Sequence, residues 1–158
     1  MRAMTQEEME RLVGLSEWAT ICVSGPDGTP YAIEATPFRL EEDICFMINP
    51  RGGVYRCIQS NPKVLVKFTK TQSGLGHWAG VSCHGQGRFD PNIEALRRGW
   101  KKLGKIMNED YSKVASVLNK PTRSPLFRVR VESVTGRCSA VSGEPCTLIG
   151  ASAPITGK

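Results

Sequence analysis

The chain has 158 residues, 40% of them hydrophobic and 23% charged, with a formal net charge of +6. That length and balance support one buried core and exclude a disordered or fibrous chain. No run approaches the roughly 20 apolar residues needed to cross a membrane, and the opening MRAMTQEEMERL carries no apolar signal segment, so a cytoplasmic location without a membrane partner is expected.

Thr5-Gln-Glu-Glu8 reads as a capping box, and Met9, Leu12 and Val13 follow at helical spacing, which predicts a helix to about Glu17. From Ala19 the pattern changes to strands. ATICVSG and YAIEATPF are β-rich runs around Pro26-Asp27-Gly28-Thr29-Pro30, a hairpin signal. A second hairpin turns at Glu41-Glu42-Asp43 between TPFRL and ICFMI, so these first three strands are expected to form an antiparallel meander. Residues Gly53 to Ser60 read as short helical turns that stop before Asn61-Pro62, because the residue preceding proline is pushed out of the α region. KVLVKFTK alternates apolar with basic residues as a half-exposed strand, and TQSGLGHW is a glycine-containing loop. GVSCHGQGRF is a fifth strand in which Gly85 and Gly87 mark a bulge or bend.

Asp90-Pro91 predicts a helix start, with Asp90 as N-cap and Ile93, Leu96, Trp100, Leu103 and Met107 on one apolar face. Arg97, Arg98, Lys101, Lys102 and Lys105 occupy the other face. Aromatic residues are not interleaved with these cations, so the stripe reads as a solvated helix side and no nucleic-acid partner is expected. A further helical segment is predicted from Tyr111 to Leu118, then a last strand in LFRVRVESVTG. The fold class that follows is α+β: six antiparallel strands with helices at defined breaks, as a small closed or partly open barrel. Residues 1–137 form the domain, and residues 138–158, rich in Ser, Gly, Pro and Thr, a flexible tail.

Catalytic patterns are nearly absent. There is no GxSxG, HExxH, GxxxxGK[ST] or suitably placed GxGxxG. Cys22, Cys45, Cys57 and Cys83 lie in apolar runs, where thiols behave as small hydrophobes. No CxxC occurs, and His77 and His84 are not spaced with cysteines as zinc ligands, so no metal site is expected. Cys83 and His84 are strand neighbours on opposite faces and cannot pair as nucleophile and base. If the chain is an enzyme, a bound cofactor supplies the reactivity. The stretch Asn49-Pro50-Arg51-Gly52-Gly53 leads from a strand into a helix N-terminus, where amides and a dipole end can hold phosphate, with Arg51 or Arg56 adding a charged fork. A tight turn with two solvated arginines is the other reading, and the residues leave both open.

The order of hairpin, FMIN strand, glycine turn, helix ending at SNPKV, glycine-punctuated strand and closing RVRVESVTG resembles the pyridoxamine-5′-phosphate-oxidase-like split β-barrel superfamily. The likeness spans roughly residues 8 to 137, and DGTPY, ATPF and NPKV carry it. Small flavin-binding and nitroimidazole-reductase-like members are the most similar. The resemblance implies a homodimer with FMN at the interface, and an FMN-dependent reductase or oxidase acting on a small planar substrate. By position, the flavin ring would pass Ala35, Thr36, Pro37 and Phe38, with Asn49, Arg51, Gly52 and Gly53 near the ribityl phosphate. Trp78, after the glycine loop, would cover the ring or the dimer seam.

The sequence departs from the family at the phosphate. Seven residues before Asn61 the family usually has lysine, preceded by arginine or histidine; here these are Val54 and Gly53, and the third-strand serine or threonine is Ile48. Arg51 or Arg56 would have to replace the missing cation. Other members bind a deazaflavin, haem or no cofactor, so a non-catalytic cofactor- or haem-binding protein is the alternative, with His84, Cys83 and His77 as the available ligands for a haem iron.

Overall fold

The computed structural model describes residues 1–72, 76–111 and 124–150. Its elements run β1 (Arg2–Ala3), α1 (Gln6–Leu15), β2 (Ala19–Ser24), β3 (Pro30–Ala35), β4 (Phe38–Leu40), β5 (Asp43–Met47), α2 (Gly53–Ser60), β6 (Lys63–Thr71), β7 (Trp78–Phe89), α3 (Ile93–Met107) and β8 (Leu126–Cys138), followed by a 3-10 turn at Thr147–Ile149. The strands form one antiparallel sheet in the order β3-β2-β6-β7-β8-β5-β4, with β1 also paired to β8.

This order forces the sheet to curl. β3 and β4 stand at opposite ends of a seven-strand path, which laid flat would separate them by about 29 Å at the usual strand spacing. Only Thr36 and Pro37 join them, a link of about 11 Å across three Cα–Cα steps. The two ends must therefore be brought together, and the sheet wraps around a core that includes Ile21, Val66, Phe68, Val81, Phe46, Phe127 and Val129.

Two expectations are corrected by this topology. The run Tyr31 to Phe38 is two strands, because Pro37 lacks an amide donor and restricts Thr36 before it. β3 pairs with β2 as far as Ala35, and β4 pairs with β5 from Phe38. The early strands thus form two hairpins at opposite ends of the sheet in place of a meander. The sheet also has eight strands, two more than the six expected: the break at Pro37 adds one, and Arg2–Ala3, too short to show a period, adds the other.

The capping box at Thr5 is formed in both directions, and α1 buries Met9, Leu12 and Val13. The expected bulge falls between His84 and Gly85, where a Cβ on Gly85 would strike the Arg130 carbonyl oxygen. α3 differs from expectation in two ways. Its N-cap is Asn92, whose Oδ1 accepts from the Ala95 amide at 2.9 Å, while Asp90 Oδ1 accepts from the Asn92 amide. Its buried face is Ala95, Leu96, Gly99, Leu103 and Gly104, leaving Ile93 41% and Met107 47% exposed. The glycines decide this: Gly99 lets the helix settle directly onto Met47 and Phe38, and a Cβ there would collide with both side chains. The resulting second core of Phe38, Leu40, Cys45, Ala95, Leu96, Leu103 and Leu126 lies between α3 and the sheet.

The helical segment expected from Tyr111 to Leu118 lies outside the described residues from position 112 on. Residues 138–150, expected as the start of a loose tail, are packed: β8 continues to Cys138, and the 3-10 turn buries Cys146 and Ile149 in the barrel core. Their backbone is also tied down, through the Ser139 amide to the Trp78 carbonyl and the Cys146 amide to Glu8. Among the described residues, no helix is long and apolar enough to cross a membrane.

Candidate cofactor site

The turn between β5 and α2 is built by Asn49. Its Oδ1 accepts from the Arg51 amide at 2.9 Å and its carbonyl from the Gly52 amide at 3.1 Å, which bends the chain into the helix. Gly52 is the N-cap of α2 and has no side chain with which to cap it. The helix start therefore presents the amides of Gly53 and Val54 and the positive end of its dipole without a capping side chain. Arg51 and Arg56 are both exposed beside it, and Arg56 Nη1 donates to the Arg51 carbonyl at 3.3 Å. The Tyr31 ring, from the start of β3, lies against Gly53 so closely that a Cβ there would overlap it. Thus Asn49, Arg51, Gly52, Gly53 and Arg56 form one surface, joined by a tyrosine the sequence reading did not single out.

The other candidates are placed differently. Ala35, Pro37 and Phe38 are buried, Ala35 in the barrel core and Phe38 beneath α3, so this link presents its backbone and Thr36. Trp78 begins β7, where its amide donates to Ser139 Oγ at 3.0 Å. It lines a concavity of about 580 Å³ with Lys67, Ser82, Thr135 and Arg137, and none of the turn residues contributes to that lining. The structure does not bring Trp78 together with the turn inside one chain.

His84 is exposed on the outward face of the sheet, opposite Leu65 and Ser133, and Cys83 faces the core, as strand alternation requires. The Cys45 thiol is pushed up to about 12 by burial, and burial also raises Cys83. Both stay protonated near neutrality, which removes them as nucleophiles. Among the described residues no cluster of three or more His, Cys, Asp and Glu side chains could hold a metal ion.

Sequence reading also missed a charged cluster at the far side of the barrel. Arg128 on β8 donates through Nε to Asp43 at 2.8 Å, through Nη1 to Asp90 at 3.1 Å and through Nη2 to Glu41 at 2.7 Å. Arg88 and Arg98 add contacts to Asp43 and Glu41. Burial opposes the charge on Arg128, and the hydrogen bonds from Asp43 and Asp90 more than offset it, raising its pKa. The signal was present as an acidic turn, Glu41-Glu42-Asp43, but nothing local shows that β8 passes beside it.

Solved structures with the same architecture include a FAD-binding protein from Mesorhizobium loti, at TM-score 0.66 and 18% identity over 88% of this chain and 98% of that one. A conserved hypothetical protein from Mycobacterium tuberculosis matches at TM-score 0.71 and 18% identity, over 94% of both chains. The heme storage protein HutZ from Vibrio cholerae matches at 0.65 and 13%, over 82% of this chain and 92% of that one. The chain has the pyridoxamine-5′-phosphate-oxidase-like split-barrel fold. No protein-family model and no curated protein matches the sequence.

In this split barrel, the two positions at which the family was expected to carry cations have other uses. Val54 is 2% exposed and packs into the barrel core with Cys57 and Ile58. Gly53 is covered by the Tyr31 ring. Ile48, in place of the expected hydroxyl residue, is buried as well.

Proposed function

We propose that this split-barrel protein binds FMN and acts as an FMN-dependent oxidoreductase on a small planar substrate, with the cofactor held between two copies of the chain. The observation that carries this reading is the start of α2. Its first-turn amides have no side-chain cap, and Arg51 and Arg56 stand exposed next to them. Such a surface fits a phosphate: amides and a helix dipole supply the cradle, and an arginine supplies the charge that Val54 does not. Arg51, Gly52, Gly53 and Arg56 would hold the anion, with the Tyr31 phenol alongside.

The flavin supplies the transfer of hydride or electrons when bound. The chain's part is to bind, orient and shield it. The β3–β4 link meets the ring through backbone and Thr36, since Ala35, Pro37 and Phe38 turn their side chains into the two cores. A second copy of the chain would bring its own Trp78 concavity to the ring, which agrees with the separation of Trp78 from the turn within one chain. A neighbour of the same fold is named for flavin binding.

The test is a visible absorbance spectrum of the purified protein before and after addition of FMN. A flavin band that co-elutes with the protein is expected, and Arg51→Ala or Arg56→Ala should weaken uptake about tenfold, the worth of one charged hydrogen bond. A protein that takes up no FMN overturns the reading.

One observation favours a haem-binding protein without turnover as the second reading. His84 is exposed, and its ring has no hydrogen-bond partner among the described residues, so it is free to ligate iron. A Soret band on haem addition that is lost in His84→Ala supports this alternative; a band unchanged in that variant rejects His84 as the ligand.

A further inference from the structure

Six cysteines are present, and all are free thiols. Two of them meet. The Cys146 thiol hydrogen-bonds to the sulfur of Cys138, although eight positions of sequence separate them. Cys138 is the last residue of β8 and fully buried, and Cys146 immediately precedes the 3-10 turn that packs beside α1. Of the thiols whose ionisation the fold perturbs, Cys146 alone owes part of its shift to another cysteine, after burial; Cys22, Cys45 and Cys83 respond to burial and to charged groups.

The backbone on both sides of the pair is fixed. The Ser139 amide donates to the Trp78 carbonyl at 2.9 Å, and the Cys146 amide donates to Glu8 Oε1 at 3.2 Å. Between them the chain turns at Val141–Glu144, where the Glu144 amide donates to the Val141 carbonyl and Gly143 takes a positive φ of 86°. Arg2 holds the turn by donating to the Glu144 carbonyl while also pairing with Glu8. A pair of sulfurs already in hydrogen-bond contact needs only a small approach to reach the roughly 2.05 Å of a disulfide. The segment can supply it without disturbing the sheet, since only the 3-10 turn and the exposed Val141–Glu144 turn must adjust.

We propose that Cys138 and Cys146 are a disulfide-forming pair, which under oxidation locks residues 139–150 onto the end of β8 and the flank of α1. The oxidant is a peroxide. A Cys146 thiolate, exposed when the 3-10 turn opens, attacks the peroxide oxygen, breaking the O–O bond and giving a sulfenic acid and hydroxide, which takes up the thiol proton as water. The Cys138 thiolate then attacks that sulfur, the S–S bond forms, and the S–O bond breaks with release of a second water. In total two thiols lose two hydrogens and two electrons, and one peroxide becomes two waters. Burial of both sulfurs makes opening of the turn the slow step.

The bridge closes a short loop at one wall of the Trp78 concavity. Ser139, next to Cys138, accepts from the Trp78 amide, and Arg137 lines the concavity. The oxidised chain thus holds that wall in one position, and reduction releases it.

The experiment uses the full chain, treated with hydrogen peroxide or left reduced, then denatured, alkylated and digested with trypsin. No lysine or arginine lies between Cys138 and Lys158, so both cysteines fall in one peptide. After oxidation that peptide should carry no alkyl group and be lighter by two hydrogens, while the other four cysteines are alkylated; dithiothreitol should restore two alkylation sites. The thermal midpoint should rise by about 5–10 °C, as expected for closing a short loop in a domain of this size. Cys146→Ser should show neither change. Peptide 138–158 alkylated at both positions after oxidation overturns the proposal. So does a bridge from either cysteine to another residue or to a second chain. The wild-type result alone decides it if the serine variant does not fold.

Discussion

Replacing Arg128 by methionine keeps a long stem and removes a guanidinium that serves three carboxylates. The Arg128 and Asp43 side chains are each 11% exposed and Asp90 is 14% exposed, so the carboxylates left behind cannot be fully solvated. Arg88 still reaches Asp43 at 3.2 Å, but its own side chain is 53% exposed and such a contact is worth little. Removing one partner of a buried ion pair costs about 3–5 kcal/mol, and the partial exposure here places Arg128→Met at the lower end, about 3 kcal/mol. For a domain of this length that is a fall of about 6–12 °C in thermal midpoint. Arg128→Lys keeps the charge without the fork and should lose about half as much. Asp43→Asn combined with Arg128→Met should cost less than the sum of the two singles, because the orphaned charge is gone. Urea unfolding of the four proteins, with m-values compared, measures all of this. An Arg128→Met midpoint within about 1 kcal/mol of the parent, or strict additivity in the double variant, refutes the reasoning that burial makes this cluster a staple between β5, β7 and β8.

Other outcomes follow from particular contacts. Gly85→Ala should destabilise by about 2–3 kcal/mol, since the added methyl meets the Arg130 carbonyl and the Val131 backbone, and neither can turn away as a side chain could; a neutral Gly85→Ala in urea unfolding contradicts the bulge geometry. The Glu8 carboxyl is lowered from 4.5 to about 2, first by its hydrogen bonds from Arg2. Its folded pKa is depressed, so its contribution is complete above the unfolded value and disappears as pH falls from about 4.5 through about 2. Melting curves across that window should show a shallower acid loss in Glu8→Gln, and identical acid limbs would deny the pair a role.

Much of the barrel was legible because its signals are local. The capping box at Thr5, the Asp27-Gly28 turn, the stop at Asn61-Pro62 and the bulge at Gly85 each depend on a few adjacent residues, and each appears where those residues predict it. What was not legible is non-local. Alternation in YAIEATPF shows a strand but not that its two halves join sheet ends far apart in the pairing order. The face buried by α3 was misread for a related reason: Gly99 and Gly104 add no hydrophobic signal, yet by allowing close approach they set which side packs, and the larger Ile93 and Met107 stay outside.

The same limit shapes the cofactor site. Spacing from Asn61 identifies Gly53 and Val54 as the positions where a cation is absent, but only packing shows why adding one is not a simple repair. A lysine at position 54 would begin inside the barrel core, where Val54 is 2% exposed, and would have to leave that core before its ammonium met water or phosphate. A side chain at position 53 would have to displace the Tyr31 ring. Arg51 and Arg56 carry neither constraint, since both leave the backbone on the exposed side of the turn. An anion at the start of α2 would therefore draw its charge from the loop before the helix and from the helix's outer face. The inward-facing first turn is already committed to the barrel core, so its contribution is the backbone amides alone.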